Sequence, residues 1–135
     1  MTIAIIPARM GSTRFPGKPL ARIIGIPMIG HCYFRTKMSK RLDSVFIATC
    51  DEEINDYAEL IGAPCIMTSK AHERASDRIA EALIKIQDQT GELHEIVVLV
   101  QGDEPMVYPE MIDATVDAII DDPDTKVVNG VADIL

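Results

Sequence analysis

The chain has 135 residues, 47% of them hydrophobic and 25% charged, with a net charge of -8. That is the content of one globular domain: two full domains do not fit, and the apolar fraction is too high for a disordered chain. The acidic balance argues against a general binder of nucleic acid or of an anionic membrane.

Taken in chain order, apolar runs alternate with helical patterns. Residues 3–6 read as a first buried strand, too short for a signal peptide because Pro7 and Arg9 follow at once. Residues 7–19 form a loop rich in Gly, Pro, Ser and Thr. A helix is expected over 28–38, just after Pro27. Arg35, Lys37, Lys40 and Arg41 trail it and suit its C-terminal dipole. Residues 44–48 read as a second strand. Asp51 is expected to cap a helix that buries Ile54, Tyr57, Ala58 and Ile61 and stops at Gly62. Cys65–Met67 reads as a third, short strand. Ser76 is expected to cap a helix with Ile79, Ala82, Leu83 and Ile86 at helical spacing. Residues 96–100 form a strongly apolar, buried strand. Pro109 suits the first position of a helix carrying Ile112, Val116 and Ile119. Residues 127–133 read as another strand.

Continuous apolar strands alternating with helices imply an α/β fold, a mainly parallel Rossmann-like sheet with helices on both faces. No linker or repeat divides it, so 1–135 is expected to be one nucleotide-binding unit. The last strand has no covering element after it, which suggests the front part of a longer domain. Cys32, Cys50 and Cys65 are scattered, with no CxxC or His/Cys cluster, which speaks against zinc. Their odd number fits a reduced, cytoplasmic protein. No run approaches the ~20 apolar residues of a membrane span.

The charge is also unevenly distributed. Residues 1–42 hold eight bases and no Asp or Glu, whereas all 21 acids lie in 43–135. A basic first third in an acidic chain points to a local anion site, and the loop 7–19 is its natural seat. Gly11, Ser12 and Thr13 let backbone amides turn toward a ligand, and Arg9, Arg14 and Lys18 sit among them, a set suited to a triphosphate. It is not a P-loop: five residues separate Gly11 from Gly17, and Pro19 stands where a magnesium-binding hydroxyl is needed. It is not the GxGxxG dinucleotide pattern either. The strand 96–100 ends in Gln101-Gly102-Asp103-Glu104-Pro105, which places an acid at the sheet's rim. There Asp103 can hold Mg2+ against phosphate oxygens, or the acids can simply face water at a helix entry. Residues 68–78 precede a helix whose N-terminus could hold a ribose or base edge. An ordinary capped helix also explains Ser76 and Asp77 well, and His72 reads as a surface histidine. Arg78 is harder to explain, since a cation in the first turn opposes the dipole.

Ile6-Pro7-Ala8-Arg9, Ser12-Thr13-Arg14-Phe15-Pro16-Gly17-Lys18-Pro19-Leu20, Gly25-Ile26-Pro27-Met28-Ile29 and Gln101-Gly102-Asp103-Glu104-Pro105 resemble the 3-deoxy-manno-octulosonate cytidylyltransferases, the CMP-Kdo synthetases. The likeness is in register along essentially the whole chain, which corresponds to the N-terminal part of that family. It implies a nucleotide-diphospho-sugar transferase fold. It also implies a Mg2+-dependent reaction of CTP with an anionic sugar acid, giving a CMP-sugar and pyrophosphate for lipopolysaccharide synthesis.

Carried onto this sequence, Arg9, Lys18 and Asp103 become the catalytic set, with Asp103 on the metal. Ala8, Arg9, Gly11, Ser12, Arg14, Lys18, Ser76, Asp77, Arg78 and Gln101 become the nucleotide-binding set. The family's second metal-binding aspartate, its sugar-binding residues and the contacts of its homodimer fall mostly beyond residue 135, so the 135-residue piece alone is expected to be inactive. Gly11 and Phe15 stand where the family often has Ala and Leu, and Ala75 where it has Gly. These departures leave the sugar open among Kdo, an amino-Kdo and another nonulosonic acid. A sialic-acid-type CMP-sugar synthetase is the nearest alternative. A sugar-1-phosphate nucleotidyltransferase fits less well, because its opening is usually Gly-Gly-rich. A catalytically silent nucleotide-binding fragment is the alternative of a different class.

Overall fold

The computed structural model describes residues 1–11, 17–72, 74–102, 106–122 and 124. The elements run β1 (Thr2–Ala8), a single 3-10 turn (Lys18–Leu20), β2 (Arg22–Ile23), β3 (Ile26–Pro27), α1 (Met28–Thr36), β4 (Ser44–Thr49), α2 (Glu52–Leu60), β5 (Cys65–Met67), α3 (Ala75–Thr90), β6 (Ile96–Leu99) and α4 (Pro109–Asp121). Four of these strands form one sheet in the order β5-β4-β1-β6, every pairing parallel. The α/β reading is therefore observed. The strand expected over 127–133 lies outside the described residues.

Strand alternation decides which helix covers which face. Ile3 and Ile5 of β1 point with Ala48 and Ile66 to one side, where α3 buries Ile79, Ala82 and Ile86 against them. Ala4, Ile6 and Ala8 point with Val45 and Ile47 to the other side. That face is covered by Ile29, Cys32 and Tyr33 of α1, Ile54 and Ala58 of α2 and Ile112 of α4. Both faces are thus apolar and both are covered, as continuous hydrophobic strands require.

Several local expectations are corrected. β1 runs on through Pro7 to Ala8 instead of stopping at Ile6. A proline in a central strand normally removes a ladder bond. Here the Val100 amide donates to the Ile5 carbonyl, so Ile5, and by alternation Pro7, turn their backbone groups toward β6. The β6 pairing ends at Ile5↔Leu99, because the next bond of the ladder would need a Pro7 amide hydrogen, which proline lacks. Asp51 occupies the N-cap position of α2 but makes no side-chain cap bond. Ser76 is not a cap: α3 begins at Ala75 after Arg74, and Ser76 lies exposed inside its first turn. β6 is only half-buried, with Leu99 40% exposed, because among the described residues it pairs with β1 alone.

The β2–β3 hairpin carries no recognisable Asn-Gly or Asp-Gly signal. Ile24 (φ 52) and Gly25 (φ 80) make its two-residue turn, a backbone that β-branched residues adopt at a cost. His31 of α1 secures it, donating from Nε2 to the Ile23 carbonyl at 2.6 Å.

The basic cluster after α1 does more than suit a dipole. Arg35 Nε donates to the Val107 carbonyl at 2.7 Å. Asp113 of α4 accepts from the Lys40 and Arg41 amides at 3.0 and 3.2 Å. Arg41 also pairs with Asp117 at 2.9 Å. These bonds tie α4 to the α1–β4 connection.

Candidate nucleotide site

In a parallel sheet, ligands bind beyond the carboxyl ends of the strands, at the point where the chain switches direction of winding. Strand order β5-β4-β1-β6 places that point between β1 and β6. From β1 the chain winds outward to β4 and β5, then crosses back to β6. Ala8, Arg9 and Gly11 leave the end of β1 there, and Gln101 and Gly102 leave the end of β6.

The loop leaving β1 is closed at its base. The Gly17 amide donates to the Met10 carbonyl at 2.8 Å, and Gly17 takes a left-handed φ of 78 that lets the chain turn into the 3-10 segment. Lys18 therefore stands beside Met10, half-buried, while Arg9 and Gly11 are exposed. The Met10 amide is itself held, donating to Asp51 Oδ2 at the end of β4 at 2.7 Å. Ser12 and Arg14 fall within the loop but outside the described residues, as does Asp103 on the facing loop.

Gly102 fixes how closely the two loops approach. A Cβ placed there would lie 2.8 Å from the Pro7 carbonyl oxygen and 3.2 Å from the Ala8 Cβ. Only glycine lets the end of β6 pack this tightly on the end of β1. The buried Cys32 thiol donates to the Gly102 carbonyl at 3.4 Å and anchors the turn from beneath. Gln101 is exposed beside it. Ala8, Arg9, Gly11, Lys18 and Gln101 thus gather at one edge. Asp51, read from the sequence as a helix cap, and Gly102, read as part of the acidic loop, were not among the candidate site residues. A glycine in the loop leaving a strongly apolar strand was the available signal for a close approach at Gly102.

Ser76, Asp77 and Arg78 lie elsewhere along that edge, after β5, two strands from β1 and thus about 10 Å away laterally. Ser76 and Asp77 are exposed. Arg78 is 3% exposed and turned inward. Its guanidinium donates to Thr68 Oγ1 at 2.8 Å and to the His72 carbonyl at 3.3 Å, with a longer contact to the Ser69 carbonyl. This accounts for a cation in the first turn of a helix: it braces the β5–α3 loop.

Glu81, one turn further on, braces the same loop. It accepts from the Ser69 amide at 3.1 Å, from His72 Nε2 at 2.7 Å and from Lys85 at 2.9 Å. Lys85 also donates to the Met67 carbonyl at 2.8 Å. Hydrogen bonds from Lys85, His72 and Ser69 push the Glu81 carboxyl down to about 2. A carboxyl whose folded value is depressed stabilises fully above its unfolded value, near 4.3, and loses that contribution as pH falls toward the folded value. Wild type should therefore lose stability between pH ~4.3 and ~2 more steeply than Glu81→Gln, read as urea midpoints across that range. Identical slopes would remove Glu81 from the acid response.

Among the described residues no three His, Cys, Asp or Glu side chains gather into a metal site. Burial and the nearby Glu59 push the Cys65 thiol up to about 11, which makes it a poor metal ligand or nucleophile at neutral pH. No helix among the described residues is long and apolar enough to cross a membrane.

Comparison with known proteins agrees with this geometry. The chain is 48% identical over 127 residues to the 3-deoxy-manno-octulosonate cytidylyltransferase of Thermodesulfovibrio yellowstonii, an alignment covering 93% of this chain and 50% of that protein. The chain thus spans about half the length of the curated relatives it matches. Among solved structures it is similar to a CMP:2-keto-3-deoxy-manno-octonic acid synthetase complexed with CTP. That match has a TM-score of 0.81 and 35% identity, covering 91% of this chain and 48% of that one. It is also similar to a cytidylyltransferase from Leptospira borgpetersenii, with a TM-score of 0.74 and 25% identity, covering 91% and 50% of the two chains. The family model described as cytidylyltransferase matches residues 3–134, and with that match the chain belongs to the cytidylyltransferase family.

Proposed function

We propose that a protein carrying this chain at the length of its relatives couples CTP to a 3-deoxy sugar acid, Kdo or a close relative, and releases pyrophosphate. The observation that carries this reading is the closed basic loop of β1 set against the Gly102 turn of β6 at the switch point of a parallel sheet. The similarity to a CMP:2-keto-3-deoxy-manno-octonic acid synthetase solved with CTP supports the nucleotide. The names of the relatives support the sugar acid.

In this reading Arg9 and Lys18 flank the triphosphate and neutralise it, with Arg14, Ser12 and the Gly11 amide completing the loop. Gln101 sits between nucleotide and sugar, next to the Ala8 end of β1. The anomeric hydroxyl attacks the α-phosphorus in line, and pyrophosphate leaves toward the basic loop. The residues contribute mainly orientation and fixed positive charge where negative charge accumulates. Ser76, Asp77 and the loop braced by Arg78 lie on the side of the base and ribose. Mg2+, proposed on Asp103, would supply further charge neutralisation when bound. Its proposal rests on the resemblance and on the place of Asp103 directly after Gly102. Lipopolysaccharide synthesis as the pathway, a cytoplasmic location and a homodimer belong to the same proposal.

The test is pyrophosphate release by the full-length protein with CTP, Mg2+ and a panel of sugar acids, the 135-residue piece being assayed in parallel. Release with Kdo or a close relative, and none from the piece alone, is expected. Release only with sialic-type acids would move the assignment to that class of synthetase. CTP binding without release for any acid would favour a nucleotide-binding module. Undiminished turnover by Asp103→Asn would overturn the metal role.

A further inference from the structure

We infer that Asp51 is a positioning residue for the phosphate loop, gripping its backbone at Met10 so that Arg9 and Lys18 are held at the triphosphate. The inference rests on the nucleotide reading above. The grip joins two strand ends: the Met10 amide donates to Asp51 Oδ2 at 2.7 Å although the residues are 41 apart in sequence. The Met10 carbonyl meanwhile accepts from the Gly17 amide at 2.8 Å. Both backbone polar groups of Met10 are therefore committed, one to β4 and one to closing the loop.

Asp51 is well placed to act as a fixed post. Its own amide donates to Thr49 Oγ1 at 3.1 Å, Thr49 being fully buried at the end of β4. Its carbonyl accepts the first bond of α2, from the Asn55 amide at 3.2 Å. The Cys50 thiol donates to the same carboxylate oxygen at 3.6 Å. An Asp at a helix N-cap ordinarily accepts from its own helix. This one makes no such bond and is spent on β1's loop instead.

An acid beside a phosphate site opposes the ligand's charge. Its presence there is best explained by what it holds. Two consequences follow. The Met10 amide is not a phosphate donor, and the spacing between Arg9 on one side of Met10 and Lys18 on the other is set from β4.

The test uses steady-state kinetics of the full-length protein with CTP as the varied substrate. Asp51→Ala should raise KM for CTP about tenfold, a displacement effect on binding groups. Asp51→Asn keeps an acceptor oxygen and should hold KM within about threefold of wild type. Glu52→Gln, an exposed neighbouring acid, should leave KM unchanged and so separates the amide grip from a general charge effect. The inference is overturned if Asp51→Ala lowers KM or leaves it unchanged, whatever its thermal midpoint, or if Glu52→Gln shifts KM as much as Asp51→Ala. Should wild type release no pyrophosphate with any acid, the function reading fails. The same order of variants in CTP binding by calorimetry then decides the inference alone.

Discussion

Gly102→Ala is expected to lower kcat/KM of the full-length protein about a hundredfold, because a misplacement near 1 Å at a reacting centre has an effect of that size. The added methyl would meet the Pro7 carbonyl oxygen at 2.8 Å, with Ala8 Cβ and Ile29 Cδ1 close behind. Pro7 is buried within β1, paired in register with Ala48 of β4, and has no room to retreat. The segment that yields is the turn after β6, which would lose its bond from the Cys32 thiol. Gln101 precedes the displaced residue and Asp103 follows it, so both proposed functional groups move together. The stability loss should be smaller in consequence, about 1–3 kcal/mol, typical of overpacking one methyl group. Kinetics and a thermal melt on the same variant read the two effects. Activity within twofold of wild type, with the melt lowered, would mean that the turn's position does not govern the chemistry.

Arg78→Met should destabilise the fold by about 3 kcal/mol, since it leaves buried oxygens without a charged donor. A chain of this size then loses roughly 10 °C in thermal midpoint. Arg78 is buried, and the partners of its guanidinium among the described residues are neutral oxygens of Thr68, Ser69 and His72. Methionine fills much of the space but donates nothing. Arg78→Lys should recover only part of the loss, because one ammonium cannot reproduce the planar fork that reaches Thr68 and His72 together. Loosening the β5–α3 loop should also weaken CTP binding in the full-length protein. A Met variant with a wild-type melt but a raised KM for CTP would show that Arg78 meets the nucleotide directly and does not brace the loop.

The two variants mark different sources of information. Pro109 at the first turn of α4 and Cys65–Met67 as a strand were legible because their signals are local. So was the alternation of strands and helices that implies a covered parallel sheet. The caps expected at Asp51 and Ser76 failed for a common reason: a polar residue before an apolar helical pattern is compatible with a cap but does not compel one. Asp51 found a partner 41 residues away, and α3 began one residue before Ser76. The β2–β3 hairpin was illegible because Ile24 adopts a turn backbone that its side chain does not favour, and α1 supplies the support through His31.

The α/β class, the basic loop 7–19, the acidic loop after residue 100 and their likeness to one enzyme family are legible in the residue order alone. Composition and residue order carry those directly, since propensity, charge and motif spacing are properties of neighbouring residues. The folded sheet, and no local signal, brings β1 and β6 side by side at the switch point. It alone showed that Gly102 is needed against Pro7, that Asp51 grips Met10 and that Arg78 points inward. Each of these depends on strand order and register, which bring residues far apart in the chain within a few ångströms.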